Sequence, residues 1–183
     1  RQVIVVTESI FSMDGDVADL KELVRLKQVH GNVLLYVDEA HAFGARGEQG
    51  LGYAEETGCI REIDFLVGTF GKAAASAGAY IACRSAIREY LVNRMRTFIF
   101  TTALPPINIA WSLFIVRKLA GFRERRIHLK NISNILRNTL TEKGYTCPSE
   151  SYIVPMIVGA SSDTILKAEE LQRHGFYALP VRP

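Results

Sequence analysis

The 183 residues, 48% hydrophobic and 22% charged, fall in the compositional range of ordinary globular proteins and argue against disorder. A net charge of only +3, with 22 Lys and Arg spread along the chain, gives no nucleic-acid footprint; the one cluster, Arg123-Glu124-Arg125-Arg126, sits in a helical pattern and reads as a solvated face. No apolar run reaches the ~18 residues of a membrane span. Cys59, Cys83 and Cys147 are odd in number and lack metal-ligand spacing, so buried free thiols in a reducing cytoplasm are expected, with no metal.

In chain order, Val3–Thr7 is a near-continuous apolar run, as for a strand buried on both faces. Asp16 is a candidate N-cap for a helix that carries Val17, Leu20, Leu23, Val24 and Val29 and stops near Gly31. Val33–Val37 predicts a second buried strand ending at Asp38, followed by a loop with Gly44, Gly47, Gly50 and Gly52. Ile63–Val67 predicts a third strand and Ala79–Cys83 a fourth. This rhythm predicts an α/β layer on a mainly parallel sheet. Ser85–Arg96 is helical, and Pro105-Pro106 opens a helical stretch to about Lys143 with a break at Gly121. The tail predicts a strand at Tyr152–Val158, a helix at Ser162–His174 closed by Gly175, and a strand at Tyr177–Val181. A domain boundary is placed near Gly121, giving units 1–121 and 122–183. With no segment before the first strand and none after the last, the sequence reads as a piece of a larger protein.

Ligands of open α/β sheets sit outside the carboxyl ends of the strands. Glu8 and Ser12 follow the first strand, Asp38 and His41 the second, Thr69 and Lys72 the third. Lys72 stands in Thr69-Phe70-Gly71-Lys72-Ala73-Ala74-Ala75-Ser76-Ala77-Gly78, a loop of small residues with room for a flat cofactor bound as an imine. An Asp at an apolar strand end needs a cationic partner to stay ionised, and a protonated pyridine nitrogen is one. His41 is close enough in sequence to touch the same ring, and the Thr69 hydroxyl can reach a phosphate. Taken singly, these residues would be a surface charge, a turn former and an exposed histidine. The combination points to pyridoxal phosphate.

Val33-Leu34-Leu35-Tyr36-Val37-Asp38-Glu39-Ala40-His41 also has the form of the DEAH box of nucleic-acid helicases. Such an enzyme needs an upstream G-x-x-x-x-G-K-[ST] loop. The only Gly-Lys, Gly71-Lys72, is followed by Ala73 and comes after the acidic strand.

Four segments in order and spacing resemble the α-oxoamine synthases, fold-type I pyridoxal phosphate enzymes that condense an amino acid with an acyl thioester and release carbon dioxide. They are Thr7 to Asp16, Val37 to Gly44, Gly68 to Lys72, and Thr101-Thr102-Ala103-Leu104-Pro105-Pro106. The resemblance implies an aminotransferase-like large domain, here incomplete, followed by part of a smaller α+β domain. It implies pyridoxal 5'-phosphate held covalently by Lys72, which later moves the α-proton. It further implies Asp38 on the pyridine nitrogen, His41 on the phenolic oxygen with Ser12 near the same edge, and Thr69 on the phosphate. Thr102 would reach the cofactor of a partner subunit in a homodimer, and Arg182 would bind the substrate carboxylate. The Phe-Gly-Lys and Ala-Leu-Pro-Pro forms favour L-alanine and a pimeloyl thioester, from coenzyme A or a carrier protein; members using glycine or serine share the motifs. The glycine-rich phosphate turn and ring-stacking histidine of the family's N-terminal portion are not in this sequence, so the chain alone is expected to be inactive.

Overall fold

Val33–Asp38 (β2) is the centre from which the fold is built. Val33, Leu35 and Val37 are buried while Leu34, Tyr36 and Asp38 are only half-buried, the alternation of a strand covered on one face. In the computed structural model, which describes residues 1–181, β2 pairs in parallel with Val3–Glu8 (β1) and with Phe65–Thr69 (β3). Ala79–Ala82 (β4) adds antiparallel to β3, giving the order β1-β2-β3-β4. Register sets Glu8 beside Asp38 and Asp38 beside Val67, so the carboxyl ends of the three parallel strands share one edge.

The covered face packs on Leu20–Val29 (α1) and on the segment from Ala54 to Ile63. Leu20, Val24, Val33, Leu35, Val37, Ala54, Cys59, Ile63 and Leu66 form one apolar cluster. The opposite face is not covered among the described residues. Ile4 and Val6 lie beside Leu34 and Tyr36 in the ladder, and Val6 is 66% exposed. Within this chain the expectation that Val3–Thr7 is buried on both faces is therefore corrected: an apolar run reports what a strand can bury, and a covering layer decides what it does bury.

Other boundaries moved for local reasons. The helix cap is Asp19, whose Oδ1 accepts the Glu22 N–H at 3.0 Å, and not Asp16. Val17 is held extended by a bridge to Ile10, and Ala18 N–H donates to Ser9 O at 3.1 Å, which delays the helix. β3 begins at Phe65 instead of Ile63 because buried Asp64 takes the Leu35 N–H on its own carboxylate at 2.8 Å and pairs with Lys27 at 2.6 Å. That shift carries Gly68 and Thr69 into the strand.

Tyr53–Glu56 (α2) is a single turn. The predicted helix over 85–96 divides at Met95, which is extended, into Ser85–Arg94 (α3) and Arg96–Ile99 (α4). Pro106–Lys118 (α5) opens at the proline pair and passes through a 3-10 turn, Leu119–Phe122, into Arg123–Glu142 (α6), so the break falls at Gly121 as expected. Ser161–Arg173 (α7) is also as expected, and Gly175 follows it at φ +85°.

The two tail strands do not form. Ile157 makes one isolated bridge to Thr146, and Tyr177 is 83% exposed with no ladder. A strand needs a neighbour for its N–H and C=O groups. Residues 149–153 satisfy theirs locally, with Ser151 N–H on Ser149 Oγ and Ile153 N–H on Ser151 Oγ. This segment docks on Gly15, where an added Cβ would lie 2.3 Å from Ile153 O. Cys59 is buried, while Cys83 and Cys147 are half-buried, and all three are free. No helix among the described residues is long and apolar enough to cross a membrane.

The uneven cover of the sheet has a measurable outcome. Leu35→Ala is expected to cost about 2–5 kcal/mol in chemical denaturation, whereas Val6→Ala stays within about 0.5 kcal/mol.

Candidate active site

Side chains for the site come from the shared carboxyl edge of β1, β2 and β3. Asp38 ends β2, and its Oδ1 accepts the Ala40 N–H at 2.7 Å, a short turn that redirects the chain. The Glu39 carbonyl then accepts N–H groups of Ala42 and Phe43 at 2.9 and 2.8 Å, closing a turn that carries His41 outward.

Lys72 reaches the same place from the hairpin between β3 and β4. Within it Phe70 N–H donates to Gly78 O at 2.9 Å, Ser76 N–H to Phe70 O at 2.8 Å, and Ala75 N–H to Lys72 O at 3.0 Å. Helix α5 supports the loop from behind, with Trp111 Nε1 donating to Ala74 O at 2.9 Å and Ser112 Oγ to Ser76 Oγ at 2.9 Å. Beneath it Phe43, Phe70 and Tyr80 pack edge-on or tilted with centroids 5.3–5.9 Å apart. Part of the small-residue pattern serves this packing. Ala74 is buried, a Cβ on Gly44 would lie 2.8 Å from that of Ala73, and one on Gly78 would lie 2.5 Å from Leu104 Cδ1.

The result is a direct contact: Lys72 Nζ stands 2.7 Å from His41 Nε2. An ammonium can only donate, so the imidazole nitrogen must offer its lone pair. Burial, and then the Lys72 charge, lower the His41 pKa below its usual value, and Glu8 and Asp38 oppose them more weakly. His41 is thus kept neutral beside a cation.

The other sequence candidates are placed less directly. Thr69 ends β3, where its hydroxyl donates to Gly78 O at 3.1 Å and accepts the Gly71 N–H at 3.1 Å, so it shapes the lysine hairpin. Ser12 is exposed in the turn after β1, and Thr102 is exposed between α4 and α5. Arg182 lies outside the described residues.

Three further residues were not singled out from sequence. Glu39 has no exposed surface; its carboxylate meets Ser9 Oγ at 2.6 Å and the N–H groups of Tyr53 and Ala54 at 3.0 and 2.6 Å. Burial is the main reason its pKa is raised. Arg126, buried on α6, donates from Nη1 to Leu119 O at 2.7 Å and from Nη2 to Glu48 O, which bolts the glycine loop to the helix. Tyr152 donates its hydroxyl to His41 O at 2.8 Å. The usable signal for Glu39 was its position directly after an apolar strand. Nothing local marks Tyr152, and Arg126, read with its neighbours as part of a solvated helix face, is corrected to a buried residue that turns in to carbonyls of the loop and the preceding turn. The loop of residues 44–52, left without a role in the sequence, delivers Gly52 and α2 onto Glu39. A cleft of about 580 Å³ on the far side of this loop is lined by Arg46, Glu56, Arg126, Lys130 and Tyr152 among others, and Lys72 is not in its wall.

Known proteins resemble this chain in sequence and in fold. The model of the family described as aminotransferase class I and II matches residues 1–183. A relative from Glaesserella parasuis, provisionally named 8-amino-7-oxononanoate synthase, is 59% identical over 184 residues, covering 100% of this chain and 48% of that protein. One of the same provisional name from Neisseria meningitidis is 55% identical over 179 residues, covering 98% and 47%. Among solved structures, Sphingomonas wittichii serine palmitoyltransferase superposes with a TM-score of 0.90 at 33% identity, over 98% of this chain and 46% of that one. The 8-amino-7-oxononanoate synthase of Francisella tularensis superposes at 0.82 with 26% identity, over 96% and 52%. The chain spans about half the length of the curated relatives it matches. The fold is aminotransferase-like of type I, as expected, and the names agree with the resemblance read from the motifs.

Two outcomes follow from the geometry. Lys72→Met is expected to raise the titration midpoint of His41, followed by NMR of its ring protons, because it removes the adjacent positive charge. Since the folded value lies below the unfolded one, this group costs no stability above the usual imidazole pKa of about 6.5. It destabilises as pH falls through that value. The second outcome concerns glycine. Gly58→Ala, at φ +75° with open space around it, is expected to cost about 1–2 kcal/mol of unfolding free energy. Gly52→Ala costs more than that, because its Cβ would meet the Glu39 carboxyl carbon at 2.7 Å.

Proposed function

The chain belongs to the aminotransferase class I and II family, and from that membership we propose that it acts, within a longer protein, as the lysine-bearing part of a pyridoxal 5'-phosphate-dependent α-oxoamine synthase. The reaction is a decarboxylative condensation of an amino acid with an acyl thioester. L-alanine and pimeloyl-CoA, or a pimeloyl carrier protein, are the proposed substrates and 8-amino-7-oxononanoate the product, a step of biotin biosynthesis in the cytoplasm. The names of the relatives support the substrates. The observation that carries the chemistry is the 2.7 Å contact between Lys72 and His41 at the carboxyl edge of the sheet, beside Asp38.

The residues suit the group. Lys72 is a primary amine on an exposed hairpin, Asp38 a carboxylate at a strand end, and His41 a neutral ring between them in sequence and charge. When bound, pyridoxal phosphate supplies an electron sink for negative charge at the amino acid's α-carbon. The rest falls to the chain. Asp38 would pair with the cationic ring nitrogen of the bound group. Lys72 Nζ takes the α-proton as general base. His41 Nε2, kept neutral by burial and by Lys72, accepts a hydrogen bond at neutral pH and orients its neighbour. Ser12 belongs near the same edge. Thr69 is proposed for the phosphate, which requires its hydroxyl to turn from Gly78 O.

Further parts of the reading concern the whole protein. A homodimer in which Thr102 reaches the partner's cofactor, and Arg182 on the substrate carboxylate, rest on the family resemblance. A domain boundary near Gly121 is supported by the 3-10 turn at Leu119–Phe122. The 183-residue chain by itself is proposed to be inactive and a poor holder of cofactor. Its match to only about half of each relative supports this. A second reading within the same chemistry takes serine or glycine in place of alanine, and the name of a solved neighbour, a serine palmitoyltransferase at 33% identity, supports it. The helicase reading of residues 33–41 finds no support, since the aminotransferase family accounts for the whole chain.

The full-length protein is expected to be yellow, to lose that colour on borohydride reduction, and to carry the reduced cofactor on Lys72 by peptide mass spectrometry; Lys72→Ala abolishes the label. Product assays with alanine, glycine and serine against short and long acyl-CoA donors separate the readings. A colourless protein whose Lys72 is unlabelled, or one hydrolysing ATP on addition of nucleic acid, would overturn the proposal.

A further inference from the structure

Glu39 is an acid with no exposed surface, placed between the two residues assigned to the cofactor's edge. Consecutive side chains of an extended strand leave on opposite faces. Asp38 and Glu39 therefore diverge at the end of β2, one toward the site and one inward. The inward carboxyl collects donors from two different segments. Ser9 Oγ, just past β1, donates to Oε2 at 2.6 Å; Tyr53 N–H and Ala54 N–H, at the exit of the glycine loop, donate to Oε2 and Oε1 at 3.0 and 2.6 Å. Gly52 packs against the same carboxyl so closely that no side chain fits there. The main chain of Glu39 is pinned as well, its N–H on Val67 O at 2.7 Å and its carbonyl closing the turn that carries His41.

We infer that Glu39 is a positioning residue: its buried side chain clamps the end of β2 between β1 and the glycine loop, and so sets where Asp38 and His41 stand relative to Lys72. It touches no reacting atom. An apolar residue of similar volume would fill the space without the cost of burying a carboxyl. It would also leave the Ser9 hydroxyl and two backbone N–H groups without acceptors, and their segments free to drift. The charged and titratable groups acting on Glu39 or feeling it are Asp38, Arg46 and Tyr80; those acting on His41 are Lys72, Glu8 and Asp38. Loss of a negative charge at Glu39 would by itself lower the His41 midpoint, so a rise on altering Glu39 reports geometry. The inference rests on the proposed function only for what Asp38 and His41 are held to do.

The test is an NMR titration of His41 in the full-length protein, freed of cofactor. Glu39→Gln keeps the shape but loses one acceptor. It is expected to loosen the turn, let water reach the imidazole and part it from Lys72, raising the His41 midpoint by about 0.5 on the pH scale. Direct loss of a negative charge would move the midpoint the other way. Ser9→Ala, which deletes a single donor, is expected to give a smaller rise. Asp64→Asn removes another buried carboxylate at the opposite end of the same strands and is expected to lower stability without moving His41. A folded Glu39→Gln chain with an unchanged or lower midpoint overturns the inference, as does an equal shift in Asp64→Asn. Should Glu39→Gln not fold, Ser9→Ala decides: a rise supports the clamp and an unchanged midpoint refutes it. Because no cofactor enters the measurement, its outcome is independent of borohydride labelling at Lys72.

Discussion

A carboxyl group sealed from water at the end of the central strand is the constraint on which the architecture around it turns. Glu39 can be buried only because three donors meet it, and those donors lie just past β1 and at the start of α2, where the glycine loop ends. Removing the carboxyl would strand buried donors at about 1–3 kcal/mol each. The glycine loop has its own fastenings. The Glu55 carboxylate accepts from Gln49 and Leu51 N–H at 2.9 Å, Arg46 forms a two-point ion pair with Glu56 at 2.7 Å, and Arg126 holds Glu48 O. Each fastening lies away from the lysine, yet each limits where Gly52 delivers the backbone to Glu39.

The lysine hairpin is held by a different kind of force. Lys72 is exposed and its placement comes from an aromatic cluster below and helix α5 behind. Gly68 belongs to this arrangement, since a Cβ there would lie 2.6 Å from the Tyr80 ring. Packing fixes the hairpin, hydrogen bonds fix the opposing turn, and the contact between Lys72 and His41 is where the two meet.

The sequence made much of this legible. The strand end at Asp38, the break at Gly121 and the convergence of His41 with Lys72 follow from apolar runs, punctuation by glycine and the rule that parallel strands share a functional edge, while the third strand runs on to Thr69, two residues past its apolar run. It was silent where a property belongs to a pair of distant segments. Val6 and Leu34 look as buried as Val37 in an apolar run, and only the presence of α1 on one face separates them. Tyr152–Val158 has the composition of a strand, but composition cannot supply the partner, and at its start the Ile153 N–H goes to a serine hydroxyl instead. Glu39 shows the same gap: its place after an apolar strand was visible, while its partners at Ser9, Tyr53 and Ala54, which make it structural, were not.

The hydroxyl of Tyr152 crosses 111 residues of sequence to reach the carbonyl of His41, and its neighbours Ser149, Ser151 and Ile153 close on Gly15. Docking of this late segment and the conformation of the His41 turn are thus two readings of one equilibrium. Any ligand that prefers the turn in its present form strengthens the docking, and the docked segment returns the same factor to the ligand, because such coupling is reciprocal. A site that looks confined to one sheet edge is in this way thermodynamically shared with the far end of the chain.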